Sequence, residues 1–436
     1  MKLTQALAVA SLLQASSAFA IPHKKRDYAL GSSPVRGANI GGWLVLEPWI
    51  TPSVFDQFDT SLGIVDEYTL CQNADNAADV LKSHWDSWVS QDDFQKLADN
   101  GFSAVRIPIA YFQKIPACTK ERVQADWNSG YWAFQKYGED PYIQGAADYL
   151  DTAIGWARNT GLAVWIDLHG APRSQNGFDN SGQKTSSPGW TTYDSVSATE
   201  EVISIIADKY ATSDYSDVVK GIQLLNEPLM SNLEGGMDAT KAYYENGFST
   251  VRGVDGSEAM VIIHDGFVNP SEWNGVLTGS GTDGAVVDHH EYQVFTDSLV
   301  AMSADEHNSY VCSNAQGWGE GFDKFVVVGE WTGAMTDCAT YLNGFGIGAR
   351  YDGTYSGSSY VGSCAEKNDI SQWSDDMKTA TTNYINAQLD VWEYKTQGWF
   401  WWNFKTEGAA EWDLFALIDA GVFPTLEGRT IGSTCG

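Results

Sequence analysis

Two glutamates carry the most chemistry in this sequence. Glu227 follows Asn226 in the run GIQLLNEPL, residues 221–229, and Glu330 stands between Gly329 and Trp331 in KFVVVGEW, residues 324–331. Each apolar run is short and reads as a buried parallel strand. An acid inside such a strand is costly to bury, whereas one at its C-terminal end can face a pocket. A protonated carboxyl beside an ionised carboxylate can protonate a departing oxygen and engage the carbon it leaves. Cleavage of a glycosidic bond needs that pair, and retaining enzymes hold the two about 5 Å apart. The plainer reading is two unrelated structural acids, capping helices or pairing with arginine. About a hundred residues separate them, so only a closed or curved sheet brings them together.

The elements that would position these acids alternate along the chain. Strand-like stretches cover 35–46, 102–108, 162–170, 221–229, 259–267, 284–291 and 324–331, with an eighth from 396. Helical spacing appears over 85–99, 142–159, 198–210, 240–252 and 370–394. Alternation of this kind implies a parallel sheet. Asn39, Arg106, His169, Glu227, His264, His290, Glu330 and Trp402 fall at strand ends in succession. Polar residues gathered at the C-terminal ends of eight strands favour a single α/β domain, a (β/α)8 TIM barrel with elaborated loops. No glycine-rich phosphate loop follows the first strand, which disfavours a nucleotide fold. Stretches 51–80, 113–141 and 338–369 read as irregular loops, and the loop 171–193 is rich in Gly, Ser and Asn.

Residues 1–20 have the form of a signal peptide: Lys2, an apolar stretch, then Ala18-Phe19-Ala20. Residues 21–26 end in Lys24-Lys25-Arg26 and read as a propeptide, which starts a catalytic domain over 27–436 at Asp27. A solvated basic patch is the rival reading of those six. No later stretch suits a membrane span, and no hydrophobic tail after a small-residue site suggests a lipid anchor. A formal net charge of −30 argues against nucleic acid or an anionic membrane as partner. The 18 Trp and 20 Tyr suit stacking on carbohydrate, though most can be core. Six cysteines in an exported chain permit three disulfides. No HExxH pattern occurs among the seven histidines, and no metal or other cofactor is expected.

The chain resembles the secreted fungal exo-β-1,3-glucanases of glycoside hydrolase family 5. The resemblance runs from about Val35 to Cys435 and rests on GANIGGWLVLEPWI, VRIPIAYF, DLHGAPRSQNGFDNSG, LLNEP, HEYQVF, VGEW, LNGFGIGARYDG and WNFKTEGAAEW. It implies Glu227 as acid/base and Glu330 as nucleophile, a choice the residues alone leave open. It also implies Asn226 beside the nucleophilic centre, bonding the sugar 2-hydroxyl, and Arg106 and Tyr292 holding the nucleophile ionised. His169 and His290 would line the same subsite. A nearby cation would lower the pKa of Glu330, whereas Glu227 would retain its proton.

By the same resemblance Glu47, Asn180 and Arg350 grip the terminal glucose, Trp402 forms its floor, Phe178 and Phe295 clamp the next unit, and Asp179 is a further substrate-binding residue. Trp401 and Asn403 depart from the usual family wording. The implied disulfides are Cys312–Cys435 and Cys338–Cys364, leaving Cys71 and Cys118 to pair by elimination. The implied activity is release of glucose from non-reducing ends of β-1,3-glucan and related β-glucosides by a monomer, with retention and with transfer to sugar acceptors. An endo-β-glucanase with an open cleft and a non-catalytic wall glucan-binding protein are the alternatives.

Overall fold

The structure is a computed structural model that describes residues 33–111, 141–314 and 321–429. Eight parallel strands close into a barrel in sequence order. They are β1 (Val35–Asn39), β2 (Ala104–Ala110), β3 (Ala163–Gly170), β4 (Val219–Gln223), β5 (Met260–His264), β6 (Ala285–Glu291), β7 (Phe325–Trp331) and β8 (Gly398–Trp401). Closure comes from β8 against β1, with Val35 opposite Gly398 and Ala38 opposite Trp401. The expected (β/α)8 architecture is the one observed.

The barrel interior is built in layers because alternate residues of each strand point inward. Its lower layer is apolar, with Val35, Ala104, Trp165, Ile262, Val286, Val327 and Phe400 packed together. Two residues further along, the inward positions turn polar: Arg106, Asp167, Gln223 and Asp288 are all fully buried. A larger apolar core lies between strands and helices, where Ile385, Leu389 and Trp392 of the helix Asp375–Lys395 join Val328 and Trp399. A separate apolar cluster around Trp49, Trp402 and Trp412 contains no residue of the eight strands.

Several expected elements differ in extent. The first strand stops at Asn39, and residues 40–50 run as turns and bends. The helix expected over 85–99 is two helices, Ala77–Trp88 and Gln91–Asp99. Ser90 and Asp93 form a capping box at the second start, satisfying otherwise unpaired N–H groups. β4 ends at Gln223, so Glu227 stands on a loop past the strand rather than at its last residue. Stretch 51–80 is partly helical, over Pro52–Asp56 and Glu67–Asn73. The expected loop over 113–141, the leader and propeptide lie outside the described residues, except for the loop's final position. Cys338–Cys364 forms, with Cα atoms 5.2 Å apart. Cys118 and Cys435, the other partners expected for Cys71 and Cys312, also lie outside the described residues.

Candidate active site

The polar layer gathers around Arg106. Its guanidinium is fully buried. It donates to Gln223 Oε1 at 2.8 Å, Asn39 Oδ1 at 2.9 Å, Asn226 Oδ1 at 2.7 Å and Glu330 Oε1 at 3.0 Å. Asp167 lies 3.0 Å away. Burial opposes the charge, but Asp167, Glu330 and Asp288 together raise the guanidinium's proton affinity. An unpaired buried guanidinium would be strongly unfavourable, so losing any acidic partner is costly.

Glu330 receives two donors from opposite sides, Arg106 on Oε1 and the Tyr292 hydroxyl on Oε2 at 2.8 Å. Its position depends on a register shift: His289 pairs with Val328, and the next residue, His290, pairs with Glu330. Irregularities of this kind re-aim side chains next to sites. Gly329, inside the shifted pair, leaves room for Asp288, since a Cβ there would lie 2.0 Å from Asp288 Oδ1.

Glu227 is held differently. Its φ of +46° lies in the left-handed region, an uncommon conformation for a residue with a Cβ. Gln175 helps fix this loop by donating to the Asn226 carbonyl at 2.9 Å and the His169 carbonyl at 2.7 Å. The Glu227 carboxylate accepts from Asn180 Nδ2 at 3.1 Å and faces His290 Nδ1 at 2.7 Å.

His290 therefore connects three acids. Its Nδ1 is 2.7 Å from Glu227 and 3.3 Å from Glu330, while Nε2 is 3.1 Å from Asp288. With one nitrogen between them, the nearest oxygens of the two glutamates are no more than about 6 Å apart, which brings both carboxyls to one site.

Proton affinities depart from the sequence expectation. Burial lowers that of His290, but Glu330 and Asp288 reverse this and push its pKa well above the ordinary value. Burial raises Glu227, and the hydrogen bond and charge of His290 outweigh it, bringing the carboxyl to about 2. Burial raises Glu330, and His290 and Arg106 offset this only in part, so it ends above its ordinary value. The three directions share one cause, the position of His290 among Glu227, Glu330 and Asp288. Transfer along the 2.7 Å line to Glu227 would leave a neutral imidazole and a carboxylic acid.

A cavity of about 470 Å³ opens above the pair. Its lining includes Glu47, Phe178, Asp179, Asn180, Glu227, Tyr292, Phe295, Glu330, Arg350 and Trp402. Behind this wall Arg106 bonds Asn226, Asn226 Nδ2 lies 3.5 Å from His169 Nε2, and His290 faces both glutamates. His169 donates Nδ1–H to Asp167 at 2.6 Å, and its ring stacks on Trp402 with centroids 5.5 Å apart. Glu47 accepts from Trp49 Nε1 at 2.9 Å. Burial pushes Glu47 well up and Asp179 to about 6. Asn180 meets Glu227 as well as the cavity. Arg350 is held at the rim by Asp337, 3.1 Å away.

Sequence reasoning did not assign Gln175, Gln223, Asp288, Phe267 or Trp412. The Trp412 segment was visible in the WNFKTEGAAEW motif, and β6 periodicity could have exposed Asp288. Gln175 carries no local signal.

Glu227, His264 and His290 could bring three metal-ligand atoms within 4.8 Å of one another. However, both His290 nitrogens face carboxylates, and His264 Nδ1 accepts Gly266 N–H at 2.9 Å. These interactions place protons where a cation would need lone pairs, so the donor set fits a metal poorly.

Residues 72–408 match the family model for Cellulase (glycosyl hydrolase family 5). The chain belongs to glycoside hydrolase family 5.

Within this family it is 44% identical to the probable glucan 1,3-beta-glucosidase A of Aspergillus niger, covering 97% of this chain and 95% of that one. It is 43% identical to the glucan 1,3-beta-glucosidase I/II of Saccharomyces cerevisiae, covering 95% and 91% respectively. Identity to the glucan 1,3-beta-glucosidase of Lachancea kluyveri is 42%, with 95% and 92% covered. Among solved structures, the rutinosidase from Aspergillus niger matches with a TM-score of 0.66 and 20% identity, over 90% of this chain and 98% of that one. That likeness concerns the fold.

Proposed function

We propose that this family 5 chain is a retaining exo-β-1,3-glucanase that releases glucose from non-reducing ends of β-1,3-glucan. The observation that carries the chemistry is the pair Glu227 and Glu330 on either side of His290 Nδ1, at the base of an aromatic-lined cavity. The specificity is supported by full-length curated relatives that bear the name glucan 1,3-beta-glucosidase.

In this reading Glu330 attacks the anomeric carbon as its bond to the leaving oxygen breaks. That oxygen takes a proton from Glu227, replenished from His290, and a glucosyl ester forms. Water then attacks the ester, and the Glu227–His290 pair receives its proton. Arg106 and Tyr292 donate to the nucleophile, and Asn226 is placed to bond the 2-hydroxyl. Glu47, Asp179, Asn180 and Arg350 bind hydroxyls of the terminal sugar over Trp402. Phe178 and Phe295, 43% and 42% exposed, offer faces to a second unit, so a sugar acceptor can compete with water for the ester.

The proposed mature enzyme is a secreted monomer beginning at Asp27. N-terminal sequencing from culture medium should read Asp27, whereas a start at Ile21 contradicts propeptide removal but not export. Among the described residues no helix is long and apolar enough to cross a membrane.

Laminari-oligosaccharides labelled at the reducing end test the mode of attack. Unlabelled glucose should be the first product. A spread of internal fragments would establish endo action instead.

A further inference from the structure

We propose that Trp412 is a positioning residue that holds Tyr292 against the nucleophile and joins this contact to the terminal-sugar grip and the aromatic mouth. The proposal rests on Glu330 acting as the nucleophile. Trp412 is only 2% exposed, and its ring meets three residues with separate duties. Its centroid is 5.3 Å from Tyr292, 5.0 Å from Trp49 and 6.4 Å from Phe295. Tyr292 donates to Glu330 Oε2, Trp49 donates to Glu47 Oε2, and Phe295 stands at the mouth.

The ring is itself anchored. The Trp412 carbonyl accepts Trp401 Nε1–H at 2.9 Å and Asn403 N–H at 3.0 Å, tying it to the end of β8. The preceding residue, Glu411, accepts from the Thr336 hydroxyl and from Met335 N–H, tying it to the loop after β7. By contrast, the indole N–H of Trp412 is buried and has no hydrogen-bond partner among the described residues. Leaving such a donor unsatisfied is unfavourable, so this side chain contributes through its ring faces.

The tyrosine contact gives the arrangement a chemical consequence. A hydroxyl donating to Glu330 favours the carboxylate over the acid. The other charged or titratable groups acting on Glu330 are Arg106, His290, Glu227, His169 and Glu47. If Trp412 holds Tyr292 in place, replacing it should weaken that one donor and raise the proton affinity of Glu330. The acid limb of the pH profile then moves upward, because more of the nucleophile is protonated at a given low pH.

The test uses Trp412→Phe, Tyr292→Phe and the double variant, assayed as kcat/KM against pH on an activated aryl β-glucoside. Such a substrate needs little acid assistance, so its acid limb reports the nucleophile. Trp412→Phe should shift that limb up by about half a pH unit or more and lower kcat roughly tenfold. Added to Tyr292→Phe, the same change should cost less than about twofold, because the contact it supports is already gone. An unmoved limb or fully additive losses would overturn the proposal and leave Trp412 as packing alone. If Trp412→Phe does not fold, Trp412→Tyr replaces it, and failure of both contradicts a positioning role by making the ring a folding determinant. Glu330→Gln, assayed alongside, separates the underlying reading: full activity there refutes the nucleophile, whatever the tryptophan variants do.

Discussion

His290 Nδ1 and Glu227 Oε1 lie 2.7 Å apart, and this contact raises the proton affinity of the imidazole while lowering that of the carboxyl. The acid of the proposed mechanism is thus a pair. His290 lowers the proton affinity of Glu227 while its own is raised by the surrounding acids, so the imidazole is placed to act as the proton's reservoir. When a leaving oxygen develops charge beside Glu227, it draws the proton across.

Replacing His290 by Gln therefore predicts two changes. Cleavage of natural glucan should fall by about a hundredfold, with a smaller loss on an activated aryl glucoside that needs less protonation. The alkaline limb of kcat/KM should also move to lower pH. In the wild type it reports loss of the proton from the raised pair, whereas in the variant Glu227 must hold the proton alone. An alkaline limb at the same pH would show that His290 is not the reservoir.

His289 points away from this pair and makes a prediction about stability. It bridges Asp265 at 2.5 Å and Glu291 at 3.1 Å. Burial lowers its proton affinity, but Asp265 and Glu291 reverse this and raise the pKa from 6.5 to about 9. A raised folded-state pKa means that the stabilisation is fully present below the unfolded value and is lost as pH rises through about 9. The contribution is of order 3 kcal/mol. His289→Gln should therefore lower the melting temperature clearly at pH near 5.5 and much less at pH above 9.5. An equal loss at both pH values would show that the charge of His289 does not contribute.

The two phenylalanines at the mouth should act on the fate of the ester. Phe178→Ala or Phe295→Ala is expected to reduce transfer to a sugar acceptor relative to hydrolysis, while the melting temperature changes little for such exposed rings. The ratio of transfer product to glucose at high acceptor concentration measures this. Unchanged ratios in folded variants would remove both rings from the second-unit site.

The barrel was legible in the sequence because its strands are short β-branched runs and its polar residues recur at their ends. His169, His290 and Glu330 could be picked out on that pattern, whereas Arg106, expected at a strand end, is the third residue of β2 and reaches the site from inside the barrel. Glu227 was recognised as chemistry but placed on a strand, since a left-handed loop residue after an apolar run leaves no periodic trace. The break at Val89 and Ser90 was missed, although Ser90 and Asp93 have the spacing of a capping box. Gln223 reaches Asp288 across 65 residues and Arg106 across 117, and Gln175 reaches Asn226 across 51, so these roles exist only once the barrel has closed. The same holds for the proton order: Glu227 is depressed by His290 across a contact spanning 63 residues, which no local spacing encodes.

The most direct test of the glutamate assignment is the anomeric configuration of azide products. Glu227→Gln, given an activated aryl glucoside, should still form the glucosyl ester on Glu330, and the ester should accumulate because water lacks its base. Azide needs no proton removed and should release β-glucosyl azide, with the ester visible by intact mass before azide is added. Glu330→Gln should form no ester and, where azide attacks directly, should give the α-azide. Recovery of α-azide without β-azide from Glu227→Gln would contradict double displacement through Glu330.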